Sequence, residues 1–220
     1  MKTSILLMCC LVVSTITFAQ FGSQQIISNN GGECKFCGGD IDGDGDIDIV
    51  VTVIPNGVEW FKNTDGLGNF ILGQNVSTDH DVIRAAFLSD IDGDNDLDVF
   101  VASQNDGKIV WYENTDGLGT FGPQQLIGNI SIGVQSIHGT DFDGDTDIDL
   151  VMVNTSANIV AWYENTNGQG TFSEAQLISN TLDGPIAVYA ADLDGDLDQD
   201  VLVATFTGNS IVWFENTNGQ

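Results

Sequence analysis

Nine residues with aspartate at every odd place, Asp40-Ile41-Asp42-Gly43-Asp44-Gly45-Asp46-Ile47-Asp48, are written four times along the chain. The run returns at Asp90 to Asp98, Asp141 to Asp149 and Asp192 to Asp200, at offsets of 50, 51 and 51 residues, always with glycine at place 4. A second series keeps the same period: Trp60-Phe61-Lys62-Asn63-Thr64-Asp65-Gly66 recurs in close variants from Trp111, Trp162 and Trp213, each 51 residues on. A fixed period near 50 residues dictates a repeat architecture, in which each unit buries its apolar surface against its neighbours.

Each unit reads as four short strands. The first precedes the acidic run, as in Val82 to Leu88, Val134 to His138 and Ile186 to Ala190. The second follows it and is almost wholly apolar, at Ile49 to Val53, Val99 to Ala102, Leu150 to Val153 and Val201 to Ala204. Such runs imply burial on both faces. A turn leads to the third, for example 109–113, and a Gly-rich turn at 115–120 leads to the fourth, 121–127. Turn chemistry of this kind joins hairpins. The expected fold is therefore all-β, a β-propeller of four-stranded antiparallel blades. A stacked solenoid is the competing architecture. The propeller is preferred because no helical period occurs after the leader, and because the adjacent Trp and Phe or Tyr of each third strand suit opposite inter-blade gaps.

Five carboxylates within nine residues repel: a pair about 4 Å apart costs ~1 kcal/mol in water and ~4 kcal/mol near a protein surface. Over one loop the sum rivals the roughly 5–15 kcal/mol that holds a domain folded. A hard divalent cation removes the conflict, because Ca²⁺ accepts oxygens from carboxylates, carbonyls and water in flexible geometry, whereas Mg²⁺ demands a strict octahedron. The spacing resembles the start of an EF-hand loop, but place 12, where that loop needs Glu, is Val51, Val101, Met152 and Val203. The candidate ligands are Asp40, Asp42, Asp44, Asp46 and Asp48; Asp90, Asp92, Asp94, Asp96 and Asp98; Asp141, Asp143, Asp145, Asp147 and Asp149; and Asp192, Asp194, Asp196, Asp198 and Asp200. About four Ca²⁺ are expected, one per loop. A solvated acidic turn is the plainer reading of any single copy. Leu197 at place 6 and Gln199 at place 8 set the fourth loop apart.

The 220 residues carry 32 acidic and 5 basic side chains, a net charge of −27. That argues against nucleic acid, whose binding rests on Lys and Arg neutralising phosphates. Met1 to Ser4, the apolar run Ile5 to Val13 and Thr17-Phe18-Ala19 form a secretory signal pattern over residues 1–19, too short to span a bilayer, leaving a domain over 20–220. The expected location is secreted or cell-surface, where calcium is abundant. Cys34 and Cys37 remain after cleavage; a short disulfide, inert thiols and a redox pair all stay open. His80 and His138 occupy different places in their repeats and have no nucleophile at triad spacing, so no enzyme is read here. Three Asn-x-Ser sequences, beginning at Asn75, Asn129 and Asn154, match the N-glycosylation pattern.

With Asp40 to Asp48 and its copies, and with Phe21-Gly22 and Phe121-Gly122-Pro123, the chain resembles the FG-GAP or VCBS repeats, similar to the calcium-binding blades of integrin alpha subunits. The resemblance spans residues 21–220. It implies a propeller with a cation between the first two strands of each blade, held by the side chains of Asp40, Asp42, Asp44 and Asp48 and the carbonyl of Asp46, and likewise in the other loops. It also implies a binding or adhesion scaffold for an extracellular protein or glycan. A lectin, or the propeller portion of a polysaccharide-active enzyme, is the alternative. Family propellers commonly have about seven blades, so four repeats suit either part of a larger propeller or a sixteen-strand ring in which Phe21 to Ile27 completes the last blade.

Overall fold

The computed structural model describes residues 22–29, 35–53 and 57–219. The leader pattern over 1–19 and Cys34 lie outside the described residues. Fifteen strands occur in chain order among the described residues, and each acidic run joins the first two strands of a sheet. The first sheet is β1 (Phe36–Gly39), β2 (Asp48–Val53), β3 (Gly57–Asn63) and β4 (Phe70–Ser77). The second is β5 (Ile83–Ser89), β6 (Asp98–Ser103), β7 (Lys108–Tyr112) and β8 (Gln125–Asn129). The third is β9 (Val134–Thr140), β10 (Asp149–Asn154), β11 (Ile159–Tyr163) and β12 (Gln176–Ser179). The fourth has three strands, β13 (Pro185–Ala191), β14 (Asp200–Thr205) and β15 (Ser210–Phe214). Every sheet is an antiparallel meander in sequence order, the all-β, propeller-like architecture expected.

Strand ends shift by one or two residues from the sequence reading in several places, and two differences recur. Each second strand starts one residue early, on the place-9 aspartate itself. The fourth strand of the second sheet starts at Gln125 rather than Phe121, which makes only an isolated bridge to Asn114. The third sheet, with no proline there, starts its fourth strand equally late, at Gln176 after an isolated bridge between Phe172 and Asn165, whereas in the first sheet β4 begins at Phe70.

The sheets stand face to face in a row, with β1, β5, β9 and β13 packed in succession along one side. Three apolar clusters fill the three gaps. All six residues of β6 and of β10 are buried, as strands between two neighbours must be, while β2 of the first sheet alternates buried and half-buried. The adjacent aromatics divide as expected: Tyr112 joins the gap with the first sheet and Trp111 the gap with the third. Among the described residues β1 and β13 share no packing comparable to that between successive inner strands, and 22–29 form no strand. The four-bladed ring is therefore not the arrangement seen.

Candidate metal centre

The acidic runs fold alike because their glycines and aspartates make one local hydrogen-bond pattern. Place 4 is a glycine with φ between +71° and +88°, the left-handed region where side chains are costly. Place 6 is left-handed too, at Gly45, Asn95, Thr146 and Leu197, with φ of 90°, 74°, 80° and 81°. The place-1 carboxylate caps this turn. Asp141 accepts the Gly144 N–H at 2.7 Å and the Thr146 N–H at 3.0 Å, and Asp192 accepts those of Gly195 and Leu197 at 2.7 and 3.2 Å. Asp44, Asp94, Asp145 and Asp196, at place 5, each accept the place-7 N–H at 2.9–3.1 Å.

Place 9 ties the loop to the sheet. One carboxylate oxygen accepts the place-2 N–H, from Ile41, Ile91, Phe142 and Leu193 in turn, at 2.9–3.2 Å. The other accepts the N–H of the asparagine at the end of the third strand, Asn63, Asn114, Asn165 and Asn216, at 2.7–2.8 Å. Asp48, Asp98, Asp149 and Asp200 are buried.

These constraints bring one oxygen of each of places 1, 3 and 9 within 4.8 Å of one another in all four loops: Asp40, Asp42, Asp48; Asp90, Asp92, Asp98; Asp141, Asp143, Asp149; Asp192, Asp194, Asp200. The aspartates at places 5 and 7 lie outside that cluster. Place 7 instead faces the glycine of the turn after the third strand, where any Cβ would collide with the Asp46, Asp147 or Asp198 carboxylate. Burial pushes Asp98 and Asp149 up to about 7 and raises Asp48. Asp96 is also raised to about 7, by burial first and then by the charges of Asp94 and Asp92. Asp42 Oδ1, Asp92 Oδ1 and Asp96 Oδ1 are buried without a hydrogen-bond partner among the described residues. Converging all-oxygen donors, buried orphan oxygens and carboxylates raised by burial and then by one another's charge fit a hard divalent cation.

Three groups of neighbours were not read as site residues. The ammonium of Lys62 pairs with Asp42 and lies 3.1 Å from Asp44, and these two carboxylates in turn raise its pKa. At the same repeat position the other sheets carry Glu113, Glu164 and Glu215; Glu113 and Glu164 add to the rise at Asp92 and Asp143. The charge swap is visible in the sequence once the Trp series is aligned. The third group is the asparagine series, whose side chains cross between sheets. Asn114, Asn165 and Asn216 donate through Nδ2 to the place-2 carbonyls of the preceding loop, Ile41, Ile91 and Phe142, at 2.8–2.9 Å. Asn63, at the start of the row, donates to Ile47 of its own loop at 3.3 Å.

The remaining candidates are structural. His80 is buried against the Tyr112 hydroxyl, 2.7 Å away, and His138 stacks on Tyr189 with ring centroids 4.5 Å apart. Cys37 forms no disulfide among the described residues, and burial pushes its thiol up to about 12. Asn154 is buried and donates to the Ser131 carbonyl at 2.8 Å, so in the folded chain it is no glycosylation acceptor. No helix among the described residues is long and apolar enough to cross a membrane.

The family model of the FG-GAP-like repeat matches residues 40–101, 90–152 and 141–203, each match running from one acidic loop into the second strand after the next. No curated protein matches the chain significantly. Among solved structures, it is similar to an Agrocybe aegerita lectin described as recognising non-reducing terminal N-acetylglucosamine, with 22% identity and a TM-score of 0.55, over 77% of this chain and 46% of the lectin. It is also similar to BBS1N in complex with ARL6DN, at 14% identity and a TM-score of 0.56, over 83% of this chain and 54% of that one. The chain thus spans about half the length of these structures, and the likeness is one of fold.

Proposed function

The chain belongs to the FG-GAP-like repeat family, and from that premise we propose that it is a secreted, calcium-binding, non-catalytic β-propeller scaffold that presents its surface to an extracellular protein or glycan. Residues 1–19 are the export leader and 20–220 the working domain. Each of the four loops takes one Ca²⁺, with the carboxylates of places 1, 3, 5 and 9 as ligands and the carbonyl of place 7 completing the set. The observation that carries this reading is the fourfold recurrence of the place-1, place-3 and place-9 cluster within 4.8 Å. The cation's role is structural: it neutralises carboxylates that the fold would otherwise hold against one another, and so fixes the corner between the first two strands.

Calorimetric titration of the folded protein with calcium tests it. Four equivalents are expected, three if the Leu197 loop stays unfilled, and no heat of uptake sinks the reading. N-terminal sequencing of the exported protein should begin at Gln20.

A second reading, glycan recognition, draws on the lectin likeness and on one surface feature. Phe87, His138 and Tyr189 stack in series across successive inner strands, with centroids 5.5 and 4.5 Å apart, and the Tyr189 ring is exposed. Stacked rings with one open face suit a sugar. A glycan array decides it, and Tyr189→Ala should abolish any signal.

A further inference from the structure

The four acidic loops are alike in their aspartates and unlike in the charge set beside them. The residue after the aromatic pair of each third strand is Lys62 in the first sheet and Glu113, Glu164 and Glu215 in the others. Five aspartates with one lysine carry −4, whereas five with one glutamate carry −6. A single residue thus sets the first loop apart.

The sheet fixes where that lysine stands. Lys62 lies on β3 opposite Ile71 of β4, between Phe61, which pairs with Ile49, and Asn63, whose N–H is held by Asp48 at 2.8 Å. Its ammonium touches Oδ2 of Asp42 and lies 3.1 Å from Oδ2 of Asp44. These are places 3 and 5, two of the carboxylates that a calcium ion would take. The Asp42 side chain is 6% exposed and that of Lys62 31%, so the pair is sheltered from the solvent and salt that leave open-surface ion pairs worth little. In the second and third loops Glu113 and Glu164 instead set a further negative charge near Asp92 and Asp143.

The turn differs to match. In the other three loops the place-1 carboxylate accepts the N–H groups of places 4 and 6, as Asp90 does from Gly93 and Asn95 at 2.8 and 3.0 Å. In the first loop Asp40 accepts those of places 5 and 6, Asp44 and Gly45, at 3.1 and 3.0 Å. The bond has moved one residue along, onto Asp44, the second partner of the ammonium.

We propose that Lys62 is a tethered cation that closes the first acidic loop in the metal-free protein, so that this loop keeps its fold without calcium and takes the ion only by displacing the ammonium. The inference rests on the reading that these loops close around a positive charge. Carried on β3, the ammonium meets its loop within one molecule, and no chelator removes it. The other three loops have only a free ion to offset their charge. The domain therefore answers calcium in two parts: the first corner stays formed at any calcium level, and the corners of the second, third and fourth sheets form as ions arrive.

Hydrogen exchange on the full chain in chelator, read by mass spectrometry on peptic fragments, tests this. The amides of residues 40–48 should be protected at least about fivefold more strongly than those of 90–98, 141–149 and 192–200, and Lys62→Gln should erase the difference. Lys35→Gln makes the same change of net charge at the end of β1 away from the loop, and should leave the difference in place. Should Lys62→Gln fail to fold without metal, Glu113→Lys decides: it should raise the protection of 90–98 in chelator while 40–48 stays as it was. Equal protection of the four runs in the unaltered chain, a first run still protected in Lys62→Gln, or no gain in Glu113→Lys overturns the proposal. Every arm is read without metal, so the outcome settles the role of Lys62 whether or not calcium fills the other loops.

Discussion

Within a loop the backbone asks for more than the side chains grant. Place 6 has φ near +80° in every copy, and Leu197 meets that demand with a branched apolar side chain that is 85% exposed. A left-handed non-glycine residue costs roughly 1–2 kcal/mol. Leu197→Gly therefore stabilises the protein by about 0.5–1 kcal/mol once the added freedom of the unfolded chain is set against it. Urea unfolding measures this, and a loss of stability would show that the exposed leucine matters for packing. Lys62 makes the opposite kind of exception. Its ammonium lies on Asp42 and Asp44, where a divalent ion must compete with it. Removing one positive charge a few ångströms from the ion is worth ~1–4 kcal/mol. Lys62→Gln should tighten calcium binding at the first loop at least about fivefold, and Glu113→Lys should weaken the second loop alike, both read by calorimetric titration. Equal affinities in wild type and Lys62→Gln would place the ammonium away from the site in solution.

Between strands the governing contact is the asparagine bridge. Asn114 is fully buried; its Nδ2 donates to the Ile41 carbonyl and its Oδ1 accepts the Gly119 N–H at 2.9 Å. Alanine there orphans a buried acceptor and a buried donor, each costing ~1–3 kcal/mol. Asn114→Ala should lose about 2–4 kcal/mol in denaturant unfolding, and Asn63→Ala, whose longer bonds to the Ile47 carbonyl and from the Gly68 N–H, 3.3 and 3.2 Å, stay within its own sheet, roughly half that. Equal losses would mean that the bridge between sheets carries no special weight. This bridge also marks the limit of what the chain reveals when read as a string. Strands, acidic corners and the split of Trp111 from Tyr112 were legible because they are periodic and local, and the burial of β6 and β10 followed from their apolar runs. Asn114 carried no such signal, since its partner lies 73 residues back. The late start at Gln125, repeated at Gln176, went unread because the phenylalanine that opens each segment makes only an isolated bridge, which the period does not show. Nor did spacing show that it is places 1, 3 and 9 whose oxygens lie within 4.8 Å of one another; that depends on N–H directions the sequence does not spell out.

For the molecule as a whole, charge and fold are coupled through the place-9 aspartates. Asp98 and Asp149 sit near 7 because they are buried, whereas in the unfolded chain an aspartate titrates near ~3.9. Without cation, the sign is then fixed. A carboxyl whose folded pKa is raised contributes stability that is fully present below ~3.9 and is lost as pH rises through about 7. The chelated protein should melt at a higher temperature at pH 5 than at pH 8, and the more so because ionisation drives it toward its full charge of −27. Calcium inverts the slope. Only ionised carboxylates bind the ion, so the stabilisation linked to binding grows over the same interval, and the eight positive charges of four ions bring −27 to −19. Melting curves from pH 5 to 8, with chelator and with millimolar calcium, should therefore diverge with rising pH, the calcium-loaded protein melting many degrees higher at pH 8. Parallel curves would mean that the buried carboxylates are held by something other than a divalent ion, because a bound cation adds a stabilisation that grows as they ionise.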